Sequence, residues 1–198
     1  LTEDALTFTG LLLIPGCIGG LVVGDRLLRI YGDGFGRGTE VLAILLFALL
    51  FYTYTKQLLN TLNAVDRPDL AFRTNAIFIG SNVVLNLALI TAYGWTGAAV
   101  ATLLSGLVGL LLVSRYVARL LDVSVPVAEV GRQCLAALAM GGVVYGARLL
   151  TESHPLTRFN AVYVVCLVGV GAGVYFGTLL AISTRFRTTV EDNLPFAL

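Results

Sequence analysis

Charge is what this 198-residue sequence has least of. Only 13% of its residues are Asp, Glu, Lys or Arg, against 57% hydrophobic, whereas a soluble globular domain is about 25% charged. The charges are clustered and leave apolar runs of about 17–20 residues. A hydrocarbon core of about 30 Å needs about 20 residues of helix to cross it, so the composition excludes an ordinary soluble domain. Lysine is nearly absent, with Lys56 alone beside twelve arginines, and the net charge of +1 leaves no basic face for nucleic acid. Cys17, Cys134 and Cys166 fall in three different apolar runs, with neither metal-ligand spacing nor a disulfide framework. Each is expected to behave as a small buried hydrophobe. The single histidine, His154, sits beside Pro155 in a short polar loop, where a lone surface histidine is expected rather than a ligand. No metal and no cofactor is expected. The opening LTEDA lacks the basic stretch of a signal peptide, and Leu1 reads either as a point partway through something longer or as a mis-called start.

Six helices are expected, at about 5–30, 39–63, 70–92, 96–121, 127–150 and 159–183. The fold class is therefore all-α, a polytopic membrane helix bundle of six transmembrane helices. Threading them alternately puts Lys56, Arg67, Arg73, Arg115, Arg119, Arg132, Arg185 and Arg187 on one side. Arg26, Arg29, Arg37, Arg148 and Arg158 fall on the other. The richer side is read as cytoplasmic, which places both termini there in a cell membrane.

Lipid tails are as apolar as leucine, so membrane helices associate through close backbone approach at small residues four apart. Such seams run through Gly16, Gly20 and Gly24; Gly97, Ala101, Ser105 and Gly109; Gly142 and Gly146; and Gly169, Gly173 and Gly177. The YGWTG join at 93–97 predicts a close antiparallel hairpin, with Tyr93 and Trp95 as interfacial aromatics. Pro15, inside the first helix, removes a backbone hydrogen bond and predicts a kink.

Polar residues inside the apolar runs are the candidate site. Tyr52, Lys56, Asn60 and Asn63 recur at steps of four, four and three, which puts them on one helical face. Asn75, Asn82 and Asn86, spaced seven and four, share a face of the next helix, with Arg73 at its entrance. Amides and cations facing lipid are costly, so these faces should meet each other or a wet cavity. Hydrogen bonding between helices is the structural alternative, and Lys56 could also snorkel to the interface.

Two motifs carry less. GDGFGRG (32–38) has the glycine density of a phosphate loop but follows a membrane helix rather than a strand, so a flexible extracellular turn is expected. NAVDRPD (63–69) loosely resembles the first aspartate-rich motif of membrane prenyltransferases, in which paired carboxylate clusters hold Mg²⁺. Its spacing is off, and the only other candidate loop offers Asp122 and Glu129.

The order of LLLIPG (11–16), LLRIYGDGF (27–35), LNTLNAVDRPDLAFRTN (59–75) and SNVVLNLALITAYGWTGAAVATLLS (81–105) resembles the C-terminal half of polysaccharide (O-antigen type) flippases. These belong to the multidrug/oligosaccharidyl-lipid/polysaccharide exporter superfamily. The resemblance implies a transporter, not an enzyme, that moves lipid-linked oligosaccharide by alternating access between two lobes. It also implies that residues 1–124 are the last four helices of the second lobe, and 125–198 an extra helix pair and cytoplasmic tail. The first lobe would come from a longer chain or a partner chain. Lys56, Asn60, Asn63, Arg73, Asn75, Asn82 and Asn86 would then line the cavity, and membrane lipids would surround the bundle. The alternatives are a cation-coupled multidrug exporter, which usually places a carboxylate within the membrane, or a prenyltransferase-like enzyme. Asp25 and Glu40 lie at run ends, so no acid occupies a span centre.

Overall fold

The computed structural model describes residues 2–121, 127–151 and 159–193. Asp122, His154, Pro155 and Arg158 lie outside the described residues. Helix α1 spans Thr2–Leu28 and runs on through Pro15. A 3-10 turn at Asp33–Gly38 leads into α2, Thr39–Ala64. Helix α3 covers Pro68–Leu120, and α4 covers Val127–Thr151. Helix α5 follows at Asn160–Ile182, and a short α6 at Thr184–Asn193. Five helices are long and apolar enough to cross a membrane. The third, at 53 residues, would measure about 80 Å if straight, far more than one crossing. It is broken at Gly94 (φ 59°, ψ −137°) into two arms, 68–93 and 95–120, each about 39 Å long at 1.5 Å per residue. The six expected spans are therefore present as four helices and the two arms.

The start and stop signals are local. At the end of α2, Asp66 takes a left-handed conformation (φ 56°). Its N–H donates to the Asn63 carbonyl, and the Arg67 N–H donates to that of Leu62, the paired bonds of a Schellman ending. Pro68 then opens α3 at its first turn, where a missing N–H costs nothing. Within GDGFGRG, Asp33–Gly38 form the 3-10 turn, and the Tyr31 and Phe35 ring centroids lie 6.3 Å apart.

Contacts divide the chain into two units, Leu1–Thr9 with Arg37–Pro126, and Gly10–Gly36 with Val127–Leu198. In the first, Leu6, Leu58, Leu59, Leu62, Leu70, Ala71, Val113 and Val117 form a buried core. The hairpin of α3 is as tight as its sequence predicts. A Cβ on Gly97 would collide with the Leu89 backbone carbonyl of the opposite arm. Gly97, Ala101, Ser105 and Gly109 are all buried, so this seam is used along its whole length.

The second unit packs differently. Tyr163, Leu167, Gly171, Tyr175 and Leu179, each four residues on, form the buried stripe of α5. A Cβ on Gly171 would lie 3.1 Å from Val144, and one on Gly141 would lie 2.7 Å from Ile18. The expected seams are thus displaced. A methyl added at Gly16, Gly142, Gly146, Gly169, Gly173 or Gly177 would meet nothing within 4 Å among the described residues. The reason is that a four-residue period in small residues marks a face without saying whether protein or lipid meets it. The cysteines need a similar correction, since only Cys17 is buried, and Cys134 and Cys166 lie on exposed faces.

Candidate functional site

The candidate residues lie in the first unit, on α2 and the first arm of α3. At 100° per residue, Tyr52, Lys56, Asn60 and Asn63 fall within an 80° sector, beside the buried stripe of Thr55, Leu58, Leu59 and Leu62. Lys56, Asn60 and Asn63 are exposed. The Lys56 ammonium lies over the Tyr52 ring, 5.7 Å from its centroid, a cation–π geometry. The Tyr52 ring in turn meets Phe78 of α3, with centroids 5.9 Å apart and a 40° tilt. That pair joins α2 to the first arm of α3 through rings, and Phe78 is not one of the asparagines whose spacing marked that arm.

On the first arm of α3, Arg73 and Asn75 are exposed, whereas Asn82 and Asn86 are half-buried and engaged. The Asn82 amide donates to the Ser105 hydroxyl across the hairpin at 2.9 Å. The Asn86 amide donates to the Asn82 backbone carbonyl at 2.8 Å and to its side-chain oxygen at 3.0 Å. The Ser105 hydroxyl itself donates to the Ala101 carbonyl at 2.7 Å. The hydrogen bond between the arms therefore runs from asparagine to serine rather than between asparagines. Ser105 was legible only as a small seam residue, since nothing in its spacing marks it as an acceptor for Asn82.

A hollow of about 210 Å³ opens beside this face, lined by Leu45, Ala48, Leu49, Tyr52, Phe78 and Thr102. Phe78 is seated over Gly109, where a Cβ would stand 3.4 Å from the ring and 3.6 Å from Thr55. The Thr102 hydroxyl donates to the Ala98 carbonyl at 2.9 Å, which leaves its methyl for the hollow. No periodicity announces this feature, because its walls come from α2 and both arms of α3.

The aspartate-rich loop holds no metal geometry. Asp69 pairs with Arg67 at 3.1 Å, with both side chains largely exposed, and Asp66 ends α2 as described. Among the described residues no group of three or more His, Cys, Asp or Glu side chains could hold a metal ion.

The second unit carries two polar clusters that were not legible as partners. Arg148 grips Asp25 with two hydrogen bonds of 2.8 and 2.6 Å and also donates to the Val22 carbonyl. Nearby, the Asn160 amide donates to the Arg26 carbonyl at 2.7 Å, and the Arg26 guanidinium lies 5.6 Å from the Tyr163 ring centroid. At the start of α4, the buried Glu129 accepts from the Ser183 hydroxyl at 2.6 Å and from Arg132 at 3.0 Å. Ser183 also caps α6 by accepting the Phe186 N–H at 3.0 Å.

Helical throughout its elements, with repeated runs long and apolar enough to cross a membrane and a hairpin closed on small residues, the described chain has the build of a polytopic membrane protein. The profile of the family described as lipid II flippase MurJ matches residues 1–166, and the chain belongs to that family. Among curated relatives, it is 35% identical over 196 residues to the probable flippase AglR of Haloferax volcanii, covering 98% of this chain and 40% of that protein. It is 30% identical over 198 residues to the probable low-salt glycan biosynthesis flippase Agl15 of the same organism, with 97% and 40% covered. The chain thus spans about two-fifths of the length of these relatives. A solved structure of lipid II flippase MurJ in an inward closed conformation matches with a TM-score of 0.78. It shares 21% identity over 96% of this chain and 39% of that one, a likeness in fold. The resemblance read from the sequence is met at the level of glycan-lipid flippases, with MurJ as the matching family.

Proposed function

We propose that this chain acts within a membrane flippase that carries lipid-linked oligosaccharide across the cell membrane by alternating access. Residues 1–124 would serve as the last four helices of the C-terminal lobe, and 125–198 as the terminal pair and tail. The other lobe comes from a longer chain or a partner chain. Both termini face the cytoplasm in this reading, following the arginine count. The observation that carries the proposal, alongside the family, is the polar face of α2 and of the start of α3, where Lys56, Asn60, Asn63, Arg73 and Asn75 are exposed on membrane helices. Cations and amides are costly where they face lipid, and in this reading a wet substrate path, rather than snorkelling to the interface, meets them. In this reading the cations meet phosphate and the amides meet sugar hydroxyls, while Asn82 and Asn86 stiffen the wall behind them. No bond is made or broken, so the protein acts as a transporter rather than an enzyme.

The test uses the full-length protein with Asn60→Ala, Arg73→Gln and Asn75→Ala combined, reconstituted in vesicles. Transfer of lipid-linked oligosaccharide to the opposite leaflet should fall roughly tenfold or more, the equivalent of losing one charge-assisted hydrogen bond of about 1.5 kcal/mol. Membrane insertion and melting temperature should be unchanged. Wild-type transport in this triple variant would remove the face from the substrate path.

A further inference from the structure

Helix α6 starts as soon as the membrane-crossing helix α5 has ended, and three contacts hold its first turns against that end. Helix α5 has 23 residues, about 35 Å at 1.5 Å per residue, against a hydrocarbon core of about 30 Å. Its last turn therefore comes out into the headgroup layer. Ser183 fixes the junction, since its hydroxyl donates to Glu129 of α4 at 2.6 Å and accepts the Phe186 N–H at 3.0 Å. The Phe186 ring stacks on Phe176 of α5, with centroids 6.0 Å apart and planes 18° from parallel. Arg187 reaches back to donate to the Leu180 carbonyl at 3.0 Å. The start of α6 is thus held beside the last two turns of α5 instead of leading away from the membrane.

The charges of α6 run against its own dipole. A helix favours acids in its first turn and cations in its last. Here Arg185 and Arg187 open the helix and Glu191 and Asp192 close it, with no acid in the first turn and no base in the last. At 100° per residue the two arginines flank Phe186 on either side, and Phe186 and Val190 are half-buried. The carboxylate described at the junction, Glu129, is buried and taken up by Ser183 and Arg132. This order is unfavourable for the helix alone and favourable beside a layer of phosphates.

We infer that the first turns of α6 bind the phosphate of an anionic membrane lipid through Arg185 and Arg187, with Phe186 seated at the edge of the hydrocarbon. The assignment rests on α5 as a membrane crossing and is independent of the substrate path. Charge complementarity selects the occupant. A guanidinium has five N–H donors, so the bond from Arg187 to Leu180 leaves donors for phosphate. Two cations with no acid in their turn match a headgroup of net negative charge. A zwitterionic headgroup brings a cation of its own, which would stand against the arginines.

The experiment is amide hydrogen exchange on the full-length protein in nanodiscs of phosphatidylcholine, alone or mixed equally with phosphatidylglycerol. Amides of residues 186–191 should exchange about thirtyfold more slowly in the mixture, the factor for two cations at about 1 kcal/mol each near an anionic surface. The amides of α5 are the internal reference and should match in the two lipids. Arg185→Gln/Arg187→Gln should abolish the difference between lipids, and Arg185→Lys/Arg187→Lys should keep most of it. Losing the bond to Leu180 alone would speed exchange equally in both lipids, so the difference between lipids reads the headgroup contact. High salt should shrink that difference. Inorganic phosphate added to phosphatidylcholine nanodiscs should leave exchange unchanged. Equal exchange of wild type in the two lipids overturns the inference, as does a glutamine variant that keeps the difference. Protection by inorganic phosphate as strong as that in the mixture overturns the lipid as the occupant.

Discussion

The two units of this chain solve the same problem in different ways. The first, built on α2 and the hairpin of α3, packs through missing side chains. Gly97, Ala101, Ser105 and Gly109 let backbone approach backbone, and the amide of Asn82 on Ser105 links the arms. The second, built on α4, α5, α6 and most of α1, is tied by polar groups between helices. Asp25 is held by Arg148, Glu129 by Ser183 and Arg132, and Thr151 shares a hydrogen bond with Tyr163 at 2.7 Å. In the second unit the polar side chains of Asp25, Glu129, Arg132, Arg148 and Ser183 are matched to one another within the protein. In the first, several stand exposed on α2 and at the start of α3. Where polarity is matched internally its role is structural; the exposed residues of α2 and α3 are the ones the proposed function assigns to a substrate.

The contrast can be broken most severely at Gly97. A methyl there meets main chain, which cannot step aside as a side chain can, so Gly97→Ala should leave no folded hairpin or cost about 4 kcal/mol or more. Purified yield and melting temperature would register it. The corresponding change at Gly169, a glycine of an expected seam with open space around it, should shift the melting temperature little and slightly upward. A smaller effect is expected at the Asp25–Arg148 pair, whose side chains are about a fifth exposed. Removing one partner should cost about 2–3 kcal/mol, somewhat under the loss for a fully buried pair. Replacing both with leucine should recover most of it, which a double-mutant thermal cycle would reveal. Smaller again is Ser183→Ala, which removes the cap of α6 and one bond to Glu129, and should cost about 1 kcal/mol. Protease sensitivity after residue 183 should rise in that variant while the melting of the rest is nearly unmoved. Should Asp25→Leu/Arg148→Leu stop transport while remaining folded, the division into a structural and a substrate-facing unit would have to be redrawn.

Much of the fold is written in local pattern. The six apolar runs, the Schellman ending at Asp66, the proline start of α3 and the YGWTG hairpin all depend on interactions within a few residues, so spacing and residue type suffice. The polar face of α2 is legible for the same reason, because helical periodicity alone gathers Tyr52, Lys56, Asn60 and Asn63. What could not be read is which faces find partners. Gly141 and Gly171 pack while Gly142 and Gly169 do not, and one or two residues of phase decide it.

The sequence by itself thus determined six apolar runs long enough to cross a membrane, the tight hairpin at YGWTG and the gathering of polar residues on one face of α2. Only the tertiary structure decided that Asn82 reaches Ser105, that Asp25 belongs to Arg148 across more than a hundred residues, and that α2 and both arms line an open hollow beside Tyr52. Periodicity constrains direction around a helix axis, whereas partnership depends on how far apart and at what rotation two axes come to rest. That is set by the sum of many close contacts and not by any one of them.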